Sequence, residues 1–435
     1  MRLFCLFIAA ALTLSILGIP PGCSSKREAV SAPTAASSQT ESSAIPESTG
    51  AVRVAGISLD TLQKADLRYV WSVRLPMGRA TEIIQFFYHN GQLFVLTDDN
   101  VLCAFDGAKG TTNWTTILAP SKRPCSRAQF YQDRLLFMVG RSFVEVRQDG
   151  QIMRNMEVKY PVTTSAARSE DKLFVGSGNQ RFYVLRLTDG IPLWFNSCKD
   201  IPIGNITLTT NMVYFVTRDN MLYVSMMDER DLVWKFKAEG PVPGMIVDNN
   251  QCFLPSADTN LYCLEPRRGG ILWRYMAGGS LEELPVLTPN AIYQPVAHKS
   301  LICLERQPND PAGKLRWELP EGYCLLAENG PVSYCMTLRK ELTVMSNVTG
   351  KALLSFYIPN MNLYARNNED ALIFLASNSG TIVALAPHKI EGGSKPAADS
   401  TAETGSTEAT PEPGAEGGTT TEPPAPTSTT NNETF

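Results

Sequence analysis

Six tryptophans recur along the chain at nearly constant distances: Trp71, Trp114, Trp194, Trp234, Trp273 and Trp317. The gaps are 43, 80, 40, 39 and 44 residues. The gap of 80 spans two periods, with Arg154 at the skipped place, and one further period after Trp317 reaches Phe356. A repeat of about 40 residues made of short apolar runs specifies a stacked architecture. One such unit is too small to bury both its faces, so it must pack against its neighbours.

Each unit has the same internal order. An apolar run, a tight polar turn and a second apolar run precede an Asp/Gly-rich turn, and the aromatic follows. The paired runs begin with Leu93–Thr97 and Val101–Phe105 and end with Leu372–Ala376 and Thr381–Leu385; there are eight such hairpins. Asp98-Asp99-Asn100, Gly178-Asn179, Asp219-Asn220 and Ser379-Gly380 supply the turn chemistry between the runs. The runs are strand-length and rich in Val, Leu, Phe and Tyr, and no segment of the repeats sustains a helical period. A looser apolar segment before each hairpin supplies one more strand, as in Glu82–Tyr88, and the residues around the aromatic supply another. Eight units of four strands are expected to form an all-β, eight-bladed β-propeller.

The ends of the repeat show how the ring closes. The eighth hairpin has no aromatic strand after it, and Tyr69–Leu75, with Trp71, has no hairpin before it. The spare strand therefore completes the last blade. The constant position of the aromatics places them between blades, where truncating a buried tryptophan costs about 3–5 kcal/mol. The unit holding Arg154 is then expected to be the weakest joint.

The flanks differ from the repeats. Residues 1–22 read as an export signal: Arg2, then an apolar run from Leu3 to Ile19, then Pro20-Pro21-Gly22 before Cys23. A cysteine after a small residue at that place is the pattern of a bacterial lipoprotein, whose new terminal thiol is acylated; Pro20 departs from the usual leucine. Residues 23–50 form a Ser/Ala/Thr/Glu tether expected to be disordered, 51–387 the propeller, and 388–435 a Thr/Pro/Glu/Gly-rich tail also expected to stay unfolded. The tail carries eight acidic residues against Lys389 and Lys395, so the ring itself is close to neutral. A near-neutral ring gives no reason to expect nucleic-acid binding.

Ten cysteines occur, and an exported chain permits disulfides. Beyond Cys5 and Cys23, the candidate bridges involve Cys103 with Cys125, Cys303 with Cys324, and Cys252 with Cys263. The last pair faces across one hairpin if its turn centres on Asp258-Thr259. Cys103, Cys263 and Cys303 share one place in their blades. Buried free thiols are the alternative. His89, His298 and His388 are too scattered to assemble a metal site, and no nucleophile, zinc or phosphate-loop motif is present. No catalytic, cofactor-binding or metal-binding residue is expected.

The clearest copy of the repeat is Gly176-Ser177 through Leu187-Thr188-Asp189-Gly190-Ile191-Pro192-Leu193-Trp194. With Gly110 and Trp114 of the first unit, it resembles the pyrroloquinoline-quinone-like propeller family over about residues 69–386. The resemblance implies an eight-bladed ring. In the family's dehydrogenases a quinone sits in the central funnel beneath a disulfide of adjacent cysteines, with Ca²⁺ and an aspartate base; this chain has no adjacent cysteines. In its lipoprotein-scaffold branch, part of the outer-membrane β-barrel assembly machine, the ring is non-catalytic and binds envelope proteins. That branch implies an outer-membrane anchor facing the periplasm, consistent with Ser24 in place of the aspartate of inner-membrane retention. The alternatives are a soluble secreted or periplasmic protein, a propeller binding a quinone or other small ligand, and a surface or cell-wall interaction protein.

Overall fold

The computed structural model describes residues 53–389, apart from 55, 79, 80, 249 and 307–312. Cys23, the tether and the tail beyond Lys389 lie outside the described residues. Among the described residues, eight four-stranded antiparallel sheets follow one another around a ring, with a two-stranded ribbon at Arg53–Val54 and Ile57–Ser58. In the first blade the strands run outwards from the axis as Ile83–His89, Gln92–Thr97, Val101–Asp106 and Thr112–Ile117. The next six blades repeat that meander in chain order. In the eighth, Leu363–Ala365, Ile373–Ala376 and Thr381–Pro387 are completed by Leu67–Arg74 from the other end of the chain. Trp71 pairs there with Ala384, so the spare strand fills the vacant place.

The two middle strands of every blade are buried on both faces and form apolar cores between blades. The fourth strands alternate, with inward residues half-buried and the rest exposed. The tryptophans point inward and fasten each blade to the next. Trp71 donates its indole N–H to the Gly107 carbonyl of the first blade at 2.9 Å, and Trp114 to Gln148 of the second at 2.7 Å. Trp234 reaches Pro266 at 3.0 Å, and Trp317 reaches the Asn347 side chain at 3.1 Å. The Trp194 N–H has no partner, and no glycine occupies the Asp228–Asp231 turn beyond it.

Arg154 performs the same act without an aromatic. Its Nη1 donates to the Leu187 carbonyl at 2.8 Å, across the same type of seam. The residue opposite it in the register is Glu145, where Ala104 faces Trp114 and Val224 faces Trp234. A small residue leaves room for an indole; a glutamate gives a guanidinium its counter-ion. Glu145 is fully buried and also accepts from Arg134 at 2.7 Å and Arg168 at 2.5 Å. The aromatic joint has become an ionic one.

Two expectations of register are corrected. The residue in the tryptophan's place in the seventh blade is Leu354, opposite Val344; Phe356 lies two residues further along the same face. The seventh unit is short, with 37 residues from Trp317 to Leu354, so a count of about 40 overshoots it. In the fifth blade Pro255 pairs with Leu261, so Cys252 faces Leu264 and Cys263 faces Phe253. Cys252 and Cys263 therefore point to opposite faces and enter different cores. A one-residue shift of a turn centre exchanges the faces of a whole strand.

A six-residue helix, Leu59–Lys64, precedes the closing strand. Ser58 caps it, its hydroxyl accepting from the Thr61 N–H at 3.2 Å, and Leu62 is buried. With Ile57, Ala65 and Leu67 it covers the core between the seventh and eighth blades.

Candidate functional site

The centre of the ring is an open channel. Its walls are the connections that lead from the outer strand of one blade to the inner strand of the next. Pro124–Arg127, Val162–Ser165, Gly204-Asn205, Pro243 and Glu282–Leu284 enclose a cavity of about 630 Å³ there. A second hollow of about 290 Å³ adjoins it, sharing Glu282 and Glu283 and bounded by His298, Tyr323 and Leu338.

Inner strands leave backbone groups unpaired towards the axis, and side-chain amides from the preceding blade satisfy several of them. Gln85 donates to the Ser126 carbonyl at 2.7 Å and accepts from the Ala128 N–H at 2.9 Å. Asn205 donates to the Met245 carbonyl at 2.8 Å and accepts from its N–H at 3.2 Å. Gly204 has φ of +71°, and a Cβ there would lie 2.6 Å from the Pro243 carbonyl oxygen. These channel amides are structural ties between blades.

Charge in the channel is concentrated at one side. Arg366, just beyond the inner strand of the eighth blade, pairs with Glu283 through Nη2, while Nη1 reaches the Leu284 carbonyl at 3.4 Å. Enclosure and the neighbouring Arg127 charge push the Arg366 guanidinium down to about 10, still protonated at neutral pH. Tyr323 stands near Arg127, with Tyr364 edge-on to it at 6.3 Å.

The histidines lie apart from one another, and His298 alone borders the second hollow. His89 bonds Glu369 at 2.8 Å and stacks on Phe130 at 3.8 Å. His298 occupies a turn with φ of +54°. No group of three His, Cys, Asp or Glu side chains among the described residues is arranged to hold a metal.

The eight ring cysteines are free thiols in the structure. Cys103 pairs with Thr115, one place from the register position that Cys263 and Cys303 share opposite a tryptophan. Cys103 and Cys125 contribute to different interblade cores, as do Cys303 and Cys324. Burial pushes Cys125, Cys263, Cys303 and Cys324 up to about 12, which suppresses the reactive thiolate. The dehydrogenase arrangement of adjacent cysteines and a free carboxylate does not fit here: no cysteines are adjacent, and Glu283 is engaged by Arg366.

Sequence reasoning did not find Arg127, Arg366 or Tyr323. They lie in or beside irregular connections, where neither period nor turn chemistry marks a position. The nearest signal was the Glu282-Glu283 pair, which reads equally well as a solvated turn.

Residues 36–155 and 142–276 match the family model described as outer membrane protein assembly factor BamB. The two matches together span more than half of the chain. The chain belongs to the BamB family. Among solved structures, BamB from Moraxella catarrhalis is similar with a TM-score of 0.54 and 12% identity, covering 74% of this chain and 99% of that one. The computationally designed Ika8 protein gives 0.57 and 12%, covering 72% and 98%. The C-terminal WD40 domain of Sif2 gives 0.57 and 9%, covering 74% and 98%. At these identities the likeness concerns the fold, which one designed protein and one WD40 domain share with BamB. No curated protein matches the chain in sequence. Its BamB-family ring is a PQQ-repeat propeller of the kind suited to protein interaction.

Proposed function

We propose that this BamB-family propeller is a non-catalytic envelope lipoprotein, anchored through acylated Cys23, that serves as a docking scaffold in outer-membrane protein assembly. The observation that carries the reading is the family match across residues 36–276. The ring is a rigid support that presents turns and strand edges on both faces, which suits recognition of other proteins. Its partners on this reading are periplasmic segments of envelope proteins, including the barrel-assembly machine, and the lipid of the outer membrane facing the periplasm. The buried, strongly shifted thiols and the engaged Glu283 also favour recognition over chemistry.

Affinity capture from gently solubilised envelopes tests the docking role. Barrel-assembly components should co-purify in stoichiometric amounts. Recovery of the protein without any envelope partner counts against it. Mass spectrometry of the mature N-terminus tests the anchor separately: an acylated Cys23 is expected, and a free terminus downstream of residue 23 removes the anchor from the proposal.

A further inference from the structure

The two ends of the channel differ. In the first seven blades, two to four residues join the inner strand to the second. In the eighth, the seven residues 366–372 lie between Ala365 and Ile373. This segment does not stay with its own blade. Arg366 pairs with Glu283, and the Asn368 side chain donates to the Leu287 carbonyl at 3.0 Å. Leu287 belongs to the inner strand of the sixth blade, so these contacts pass beyond the seventh. On the way, the Asn367 N–H donates to the Leu326 carbonyl on the inner strand of the seventh blade at 3.0 Å. The other end of the segment holds the first blade. Glu369 accepts from the Asn90 N–H at 2.6 Å and bonds His89 at 2.8 Å, and Asp370 accepts from the Tyr88 hydroxyl at 2.5 Å.

Asn367 joins the two ends. It is only 1% exposed. Its side-chain oxygen accepts from the N–H groups of Glu369 and Asp370 at 2.9 and 3.2 Å. Its side-chain nitrogen donates to the Asp370 carboxylate at 2.6 Å and to the Leu372 carbonyl at 2.8 Å. Freeing one end while the other stays would strand these buried groups, so the segment should move as a unit. In an antiparallel meander, a connection between the first two strands lies at the opposite end from the connections between blades. The segment therefore spans the channel at the end away from the 630 Å³ cavity.

We infer that residues 366–370 are a latch across one end of the channel: a single body, fastened to the sixth blade at one side and to the first at the other, that lifts when either fastening is lost. Closed, it satisfies the Leu284, Leu287 and Leu326 carbonyls; open, it leaves them facing the axis and clears that end of the channel. All five residues are polar. Opening thus breaks hydrogen bonds but uncovers little apolar surface, which places it among the local motions that precede global unfolding. The latch governs access to the channel and is independent of what docks on the ring.

Amide hydrogen exchange of the purified protein, read by mass spectrometry where exchange follows the opening equilibrium, tests the latch. Glu283→Gln weakens the fastening on the sixth blade and is read at the far end, at the Asn90 amide. Tyr88→Phe keeps the ring in its core, weakens the fastening on the first blade, and is read at the Asn367 amide. Losing a charge-assisted contact should speed exchange at the far end by about tenfold or more. Glu369→Gln, at a partly exposed carboxylate, gives the same reading at Asn367 should Tyr88→Phe disturb the core. Arg186→Gln, whose partner Asp189 lies at 3.0 Å in a turn of the third blade, should alter neither end. Circular dichroism and the urea midpoint establish that each variant is folded. Either variant quickening exchange only at its own end, or at neither, overturns the inference.

Discussion

Gly110 lies beneath the Trp71 indole in the joint that closes the ring, and replacing it with alanine tests what that joint requires. Its φ is +73°, and an added Cβ would stand 2.4 Å from Trp71 Cδ2. Left-handed backbone costs an alanine roughly 1–2 kcal/mol. Forcing a methyl into a filled site adds typically about 1–3 kcal/mol. Gly110→Ala should therefore destabilise the ring by about 2–5 kcal/mol. Gly190 supplies the control, at the same place in the third blade and with φ of +69°. Its nearest neighbour is the flexible Met156, whose sulfur lies 3.3 Å from the added Cβ, because Arg154 has replaced the aromatic there. Gly190→Ala should cost the backbone part alone, about 1–2 kcal/mol. Urea unfolding followed by far-UV circular dichroism gives both values from midpoint shifts at constant slope. In the Trp71→Leu background the Gly110→Ala penalty should fall towards that of Gly190→Ala. Equal penalties at Gly110 and Gly190 in the parent protein would refute the claim that the indole, rather than the turn, demands glycine.

Glu145→Ala strands Arg168, which is only 6% exposed, and should cost about 3–5 kcal/mol in the same assay; a change below about 1 kcal/mol means the three arginines do not depend on that carboxylate. Stability should also fall in alkali. Burial holds the Cys125, Cys198, Cys263, Cys303 and Cys324 thiols protonated up to about 12, while an unfolded thiol ionises near 8.5. The unfolded chain loses its protons first, so stability is intact below about pH 8.5 and declines by about 1.4 kcal/mol per pH unit per thiol above it. Urea midpoints at about pH 8 and pH 10 report this, and equal midpoints contradict it. Deleting residues 69–75 should abolish cooperative unfolding, whereas deleting residues 24–50 should leave the midpoint unmoved; calorimetry on the two truncations decides between these outcomes.

The parts of the fold legible in the sequence were those fixed by local chemistry. Hairpins showed themselves through turns such as Asp219-Asn220, where Asn220 adopts φ of +68°. Closure was legible because Trp71 was a strand without a hairpin. Register was less so. A turn can shift its centre by one residue without changing its composition, and that shift separated Cys252 from Cys263. The seventh unit runs short, so a count of one period from Trp317 passed Leu354 and landed on Phe356. The helix at Leu59–Lys64 has fewer than two turns and leaves no period to read. The Glu145–Arg154 exchange was half visible, as a missing tryptophan; its acidic partner became evident only when pairing placed the two side by side. The channel was invisible, because its lining comes from the irregular connections of several blades, which share no spacing rule.

The strand that seals the eighth blade also sets the timetable of folding. Leu67 pairs with Pro387, and the His388 N–H reaches the Asp66 carbonyl at 3.0 Å, so a strand from the start of the repeats binds the one at their end. Closing so long a loop costs roughly 5 kcal/mol of chain entropy, to be recovered only when the final strands arrive. Seven blades can assemble from neighbours as the chain emerges, but Leu67–Arg74 has no site until Thr381–Pro387 exists. For that interval the nascent protein is an open arc with raw apolar faces at both ends. Such a chain is most prone to aggregate just before completion, and any assistant of its folding would act on those two faces.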